Sequence, residues 1–150
     1  MIKFHFYLFA AFLLLVLTIT YLSLIKTDRK QHYLLVNNHK INLEIASTKK
    51  TQQQGLSGRD YLPENNGMLF VYNQSGYRSF WMKEMKFPLD FVWINDGQII
   101  GITVNVQPKD YQPPKSLTSP QPVDKILEIN ANEAEKLGLK VGQQIALSFR

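Results

Sequence analysis

The stretch FPLDFVWINDGQIIGITVNV, residues 87–106, carries two apolar runs joined by Asp96-Gly97. Asp-Gly supplies the positive-φ pair of a type I′ turn, and the runs on either side are β-branched and aromatic, so the segment predicts a β-hairpin. Along its first arm Leu89, Phe91 and Trp93 share one face, and Asp90, Val92 and Ile94 share the other. Short strands of this kind set the pattern for the chain after residue 34, where no apolar period of 3.6 runs beyond about ten residues.

LLVNNHKINLEIA predicts a second hairpin turning at Asn37-Asn38. STKKTQQQG predicts a two-turn helix capped by Ser47 or Thr48 and stopped by Gly55. LPENNG is turn chemistry, MLFVY a strand too apolar to have a wet face, and NQSG a turn into a further strand, YRSFWM. VDKILEI predicts a strand, NANEAEKLG a short helix capped by Asn130 or Asn132 and ended by Gly138, and VGQQIALSF a closing strand. Between the hairpin and VDKILEI lies QPKDYQPPKSLTSPQP, which holds five of the seven prolines and reads as a lid, a binding segment or a rigid crossover. Together these predict an α+β fold: a compact antiparallel sheet, curved or barrel-like, with two short helices.

Composition limits the function. The 150 residues include no cysteine, which removes disulfides, thiolate nucleophiles and Cys-ligated zinc. The net charge of +5 belongs largely to Lys3, Lys26, Arg29 and Lys30, which flank an apolar segment. From residue 34 onward thirteen Lys and Arg face eleven Asp and Glu, a poor footprint for nucleic acid. The apolar segment, residues 4–25, has no Asp, Glu, Lys or Arg. At about 1.5 Å per residue it reaches roughly 33 Å, the thickness of a hydrocarbon core. An N-terminal transmembrane helix acting as an uncleaved anchor over residues 1–25 is therefore expected, followed by a stalk over 26–33 and one globular domain over 34–150. Leu8 to Leu17 also has the length of a signal-peptide core, so cleavage and secretion is the alternative; the Thr18–Leu24 stretch offers no small-residue cleavage site. The Lys/Arg bias around the segment favours a cytoplasmic body, whereas the two-residue tail before Lys3 is signal-like; an extracytoplasmic body is expected.

The densest chemistry is SFWMKEMKFPLDFVW, residues 79–93. A strand here would turn Trp81 and Lys83 to one side, where Asp90 could join them as an aromatic platform beside a charge of each sign, suited to a sugar or peptide. The plainer reading makes both tryptophans core and the charges solvated. Arg59, following Gly55 and Gly58, is a candidate anion anchor or a staple for Asp60 or Asp90. Glu84 and Asp90 flank Pro88 and are a possible acid–base pair, or else a solvated turn and a backbone cap. The histidines, His5, His32 and His39, are too few and too scattered for a triad or a His-rich metal site, and no phosphate loop is present. Binding candidates are thus Arg59, Trp81, Lys83, Glu84 and Asp90, with no cofactor and no metal expected.

Read together, GLSGRDYLPENNGMLFVY, SFWMKEMKFPLDFVWINDGQII and KILEINANEAEKLGLKVGQQI resemble the domain-of-unknown-function 192 family in order and spacing. The resemblance implies a small α+β domain, often exported or anchored behind an N-terminal signal, without an established activity. Ser57 stands where the family often has methionine, Glu84-Met85 where it tends to have Asn-Thr, and Asn132 where it often has glycine. The functional expectation is a membrane-anchored extracytoplasmic domain binding a small envelope-associated ligand or partner. The alternatives are a carboxylate-dependent envelope hydrolase and an accessory subunit of a membrane complex.

Overall fold

The structure, a computed structural model, describes residues 2–24 and 32–148, and the chain divides into two units, residues 1–30 and 31–150. The first unit is one helix, α1 (Ile2–Leu24), in which the Thr18 and Thr20 hydroxyls donate to carbonyls one turn back. Among the described residues no helix is long and apolar enough to cross a membrane. The expected anchor extends beyond what is described, and the expected stalk lies outside it except for His32 and Tyr33, which already belong to the first strand.

The second unit is built on seven strands. β1 (His32–Val36) and β2 (His39–Ala46) form the expected hairpin, with Asn37 and Asn38 both at positive φ. After α2 (Lys49–Gln54) comes β3 (Asn66–Gly76); β5 (Leu89–Asn95) and β6 (Gln98–Val106) are the Asp-Gly hairpin, and β8 (Val123–Asn130) and β9 (Leu147–Ser148) complete the sheet. A separate pair joins β4 (Ser79–Phe80) to β7 (Leu117–Thr118). The large sheet runs β6-β5-β8-β3-β2-β1-β9. Every pairing is antiparallel except β2 with β3, whose crossover contains α2. The class is α+β as expected, but the sheet is open: no closed barrel forms among the described residues.

Both faces of the middle of the sheet are covered. One carries Leu69, Val92, Ile94, Leu127 and Ile129 under α3 (Glu133–Lys136); the other carries Phe70, Phe91, Trp93 and Ile126. Burial on both sides is why six of the seven β5 residues are inaccessible. α2 starts where a capping box predicts, Thr48 and Thr51 exchanging side-chain and backbone bonds, and ends at Gly55, φ +50°. A Cβ at Gly55 would also lie 3.3 Å from the Phe70 ring, so both conformation and space call for glycine.

Four expectations are corrected. NQSG does not turn: β3 runs through it to Gly76 with a register shift after Val71. FWMK is not a strand beyond its first residue, because β4 ends at Phe80 and residues 81–88 are irregular, with a turn at Lys83-Glu84. The closing strand shrinks to Leu147–Ser148 plus a bridge between Gln98 and Gln144. Asn132 stands at the N-cap of α3 as expected, but its side chain makes no capping bond. Asp90, fully buried, reaches across from β5: Oδ1 accepts from the Asn105 and Asn132 amides at 2.7 and 3.0 Å, and Oδ2 from the Ala134 amide at 3.0 Å. Three backbone N–H groups depend on one carboxylate. Asp90→Ala is expected to destabilise the domain by about 3–5 kcal/mol, read as a lowered urea midpoint with unchanged slope.

Candidate functional site

Strand register decides which side chains share a face. Asp90 lies opposite Ile129 and Phe91 opposite Glu128, so the two carboxylates of β5 and β8 point to opposite sides of the sheet. Glu128 shares its face with Met68 on β3, which in turn lies opposite Glu44 on β2. A row Glu44–Met68–Glu128–Phe91 thus crosses four strands on the side covered by α2 and the 79–88 segment.

On that side a pocket of about 280 Å³ opens between the end of α2 and the Ser79–Met85 segment. Its floor is Phe70, Tyr72, Leu89 and Glu128; one wall is Gln52 to Ser57, and the other is Phe80, Trp81, Met82 and Met85. Phe80 sits edge-on to three rings, Phe70 at 4.9 Å, Phe91 at 5.6 Å and Trp93 at 6.0 Å between centroids, an arrangement that fixes the wall it belongs to. The proline-rich loop holds that wall from behind. Leu117 pairs with Phe80, the Tyr111 carbonyl accepts from the Met82 amide, and Gln112 donates to the Met82 carbonyl. It is a buttress with its own strand and a 3-10 turn, not a structureless lid. Across the mouth, Ser57 Oγ donates to the Lys83 carbonyl and the Gly58 amide to the Glu84 carbonyl, at 2.9 and 3.0 Å.

Glu128 is the unusual member. It is 5% exposed and its carboxyl makes no hydrogen bond or ion pair among the described residues. Burial pushes its pKa up to about 8, with Arg59 pulling the other way, so it is a neutral acid at pH 7. Burial also raises the Tyr72 phenol, opposed by the Arg78 guanidinium stacked 4.0 Å over its ring. Glu128 went unmarked in the sequence because Glu in a strand usually marks a wet face. The available signal was its position: between Leu127 and Ile129, in a strand whose other charges, Asp124 and Lys125, pair with each other near its start.

The sequence candidates separate. Trp81, half exposed, lines the pocket, whereas Trp93 is core and donates its indole N–H to Thr103. Arg59 staples neither Asp60 nor Asp90. It forms a two-point pair with Glu44 at 2.6 and 2.7 Å, which raises its own pKa and lowers that of Glu44. Lys83 and Glu84 are exposed and 3.7 Å apart, and together form the turn within the 81–88 segment, Glu84 at φ +58°. Asp90 lies on the far face beneath α3, so Trp81, Lys83 and Asp90 do not converge, and neither do Glu84 and Asp90.

The family model described as "Uncharacterized ACR", DUF192, matches residues 33–147. The chain belongs to the DUF192 family. Two solved structures share the fold. A protein of unknown function from Novosphingobium aromaticivorans DSM 12444 is 29% identical with a TM-score of 0.68, over 77% of this chain and 83% of that one. A Sinorhizobium meliloti 1021 protein, described as a candidate transcription regulator, is 29% identical with a TM-score of 0.69, over 79% and 92%. No curated protein matches.

An acid whose pKa rises from 4.5 to about 8 on folding holds more protons in the native state between those values. Its contribution is therefore complete below pH 4.5 and is lost as pH rises toward 8. Glu128→Gln is expected to remove this loss. The stability difference between variant and wild type, followed by urea unfolding from pH 4 to 9, should grow with pH by up to about 1.4 kcal/mol per unit. Arg59→Met should move the upper limit of that window higher, since Arg59 is the charge that opposes the shift.

Proposed function

We propose that this DUF192 domain is a membrane-tethered, extracytoplasmic module that binds a small envelope-associated ligand in the pocket above Glu128. The observation that carries the reading is a neutral, buried acid with no protein partner on the floor of an open, aromatic-walled cavity. A buried polar group left unpaired costs about 1–3 kcal/mol, so a fold retains one where something else pairs with it. A buried acid and a glutamine-bearing wall facing aromatic and thioether side chains give a ligand both polar groups to fix its orientation and apolar surface to cover. Among the described residues lining the pocket, Glu128 is the sole carboxylate, and the Glu84–Asp90 pair of a hydrolase does not assemble. Binding is accordingly favoured over hydrolysis.

The tether and the side of the membrane rest on sequence: residues 4–25 carry no Asp, Glu, Lys or Arg. In membranes containing the full chain, alkaline extraction is expected to leave it in the pellet. Release into the supernatant would withdraw the tether without touching the pocket.

The pocket is tested by thermal unfolding of the full chain against saccharides, muropeptides, nucleotides and amines. A ligand at about a hundred times its Kd adds roughly 2.7 kcal/mol, several degrees for a domain of this size. The expected result is a shift that Trp81→Ala abolishes and Glu135→Ala, an exposed position of α3 on the opposite face of the sheet, preserves. A shift indifferent to Trp81→Ala would move the ligand elsewhere on the molecule.

A further inference from the structure

We infer that the pocket recognises a neutral N-acyl amide, in its smallest form an acetamido group, whose carbonyl oxygen accepts a hydrogen bond from the Glu128 carboxyl. The inference rests on the binding reading above and names the ligand chemistry of the same site. The other buried polar groups offer no such opening. Asp90 is saturated by three backbone amides and Ser119 accepts from the Arg78 amide, while the partly exposed Arg59 is held by Glu44.

The pocket has a donor at its floor and acceptors at its rim. Glu128, carrying its proton, presents an O–H among Phe70, Tyr72 and Leu89. Gln52 spends its side-chain nitrogen on the Ala46 and Val71 carbonyls, and Gln54 spends its own on the Ser57 carbonyl. Both residues line the pocket, and that arrangement leaves their amide oxygens as acceptors. A secondary amide has the complementary order: a C=O to meet the acid, an N–H to face the glutamines, and an acyl methyl for the Phe80 and Met82 wall. The volume, about 280 Å³, holds such a group with part of the body it is attached to.

The surrounding charges argue for a neutral ligand. Lys49 of α2 stands at the pocket, Arg59 acts on Glu128 through space, and Arg78 is stacked behind Tyr72. The remaining nearby charges are paired, Glu44 with Arg59, Lys83 with Glu84 and Lys86 with Asp60. A cationic ligand would meet the Lys49 ammonium and would have to expel the Glu128 proton; an anion would have to give up its water to aromatic and thioether side chains.

An acetamido group has two sources in an envelope, acetylated sugars and acetylated amines of peptides. The test is an NMR titration of the full chain, with the Met82 and Met85 methyls as reporters. The probes are N-acetylglucosamine, glucose, an acetyl-lysine peptide and the same peptide unacetylated, which stays cationic from pH 6 to 9. At least one acetylated probe is expected to move both methyls while its unacetylated counterpart does not, and the tighter of the two identifies the source. Its affinity should fall about tenfold from pH 6 to pH 9 as Glu128 loses its proton around 8. Glu128→Gln, which keeps a donor that does not titrate, should bind equally at both pH values, and Glu128→Leu should not bind. Binding of the unacetylated peptide that tightens with pH would overturn the inference and make the pocket a cation site. Silence of the acetylated probes, while another saccharide, nucleotide or amine moves the methyls, would overturn it and leave the pocket a binding site. Silence of the methyls toward every compound would take both readings down.

Discussion

Strands β5 and β8 run side by side in the middle of the sheet with apolar side chains packed on both faces, and every polar group they carry must answer to that burial. Two carboxylates stand there, one residue apart in register. Asp90, turned toward α3, is solvated by protein: three amides replace the water it lost, and in doing so they start α3 and secure the end of β6. Glu128, turned the other way, finds no donors and keeps its proton instead. These are the two outcomes open to a buried acid, pairing or neutralisation. The first builds the fold and the second leaves chemistry unspent at the floor of a cavity.

The same division explains what could be read from the chain. Local signals were strong wherever backbone conformation alone was at stake. Asn37-Asn38 and Asp96-Gly97 specify tight hairpins, and Thr48 with Gly55 brackets a helix, because positive φ and capping bonds are set by neighbours in sequence. Signals failed where a distant element decided. YRSFWM alternates well enough to be a strand, yet the chain leaves β4 after Phe80 because Phe80 is drawn edge-on into the Phe70, Phe91 and Trp93 cluster. NQSG has turn composition, yet it continues β3 through a register shift.

The site was half legible for related reasons. Trp81 could be marked as wall or core on its side chain alone, and exposure resolves it as wall. Arg59 was recognisable as a cation in need of a partner, but the partner, Glu44, becomes a neighbour only through the parallel β2–β3 pairing, which a list of short strands does not reveal. Glu128 carried no local mark. Its meaning comes from having sheet on both sides and a cavity above it, and those facts belong to topology.

Strand order also has a consequence for how the chain is made. β8, which separates the β5–β6 hairpin from β3, begins at Val123, and β9, which lines the far edge beside β1, ends at Ser148. Until those last residues have been synthesised, the earlier strands form two half-sheets with no middle, and their apolar faces cannot close. Such long-range pairing folds slowly. A nascent chain built this way stays loose until its final fifth has emerged, so its apolar strands are exposed for most of its synthesis.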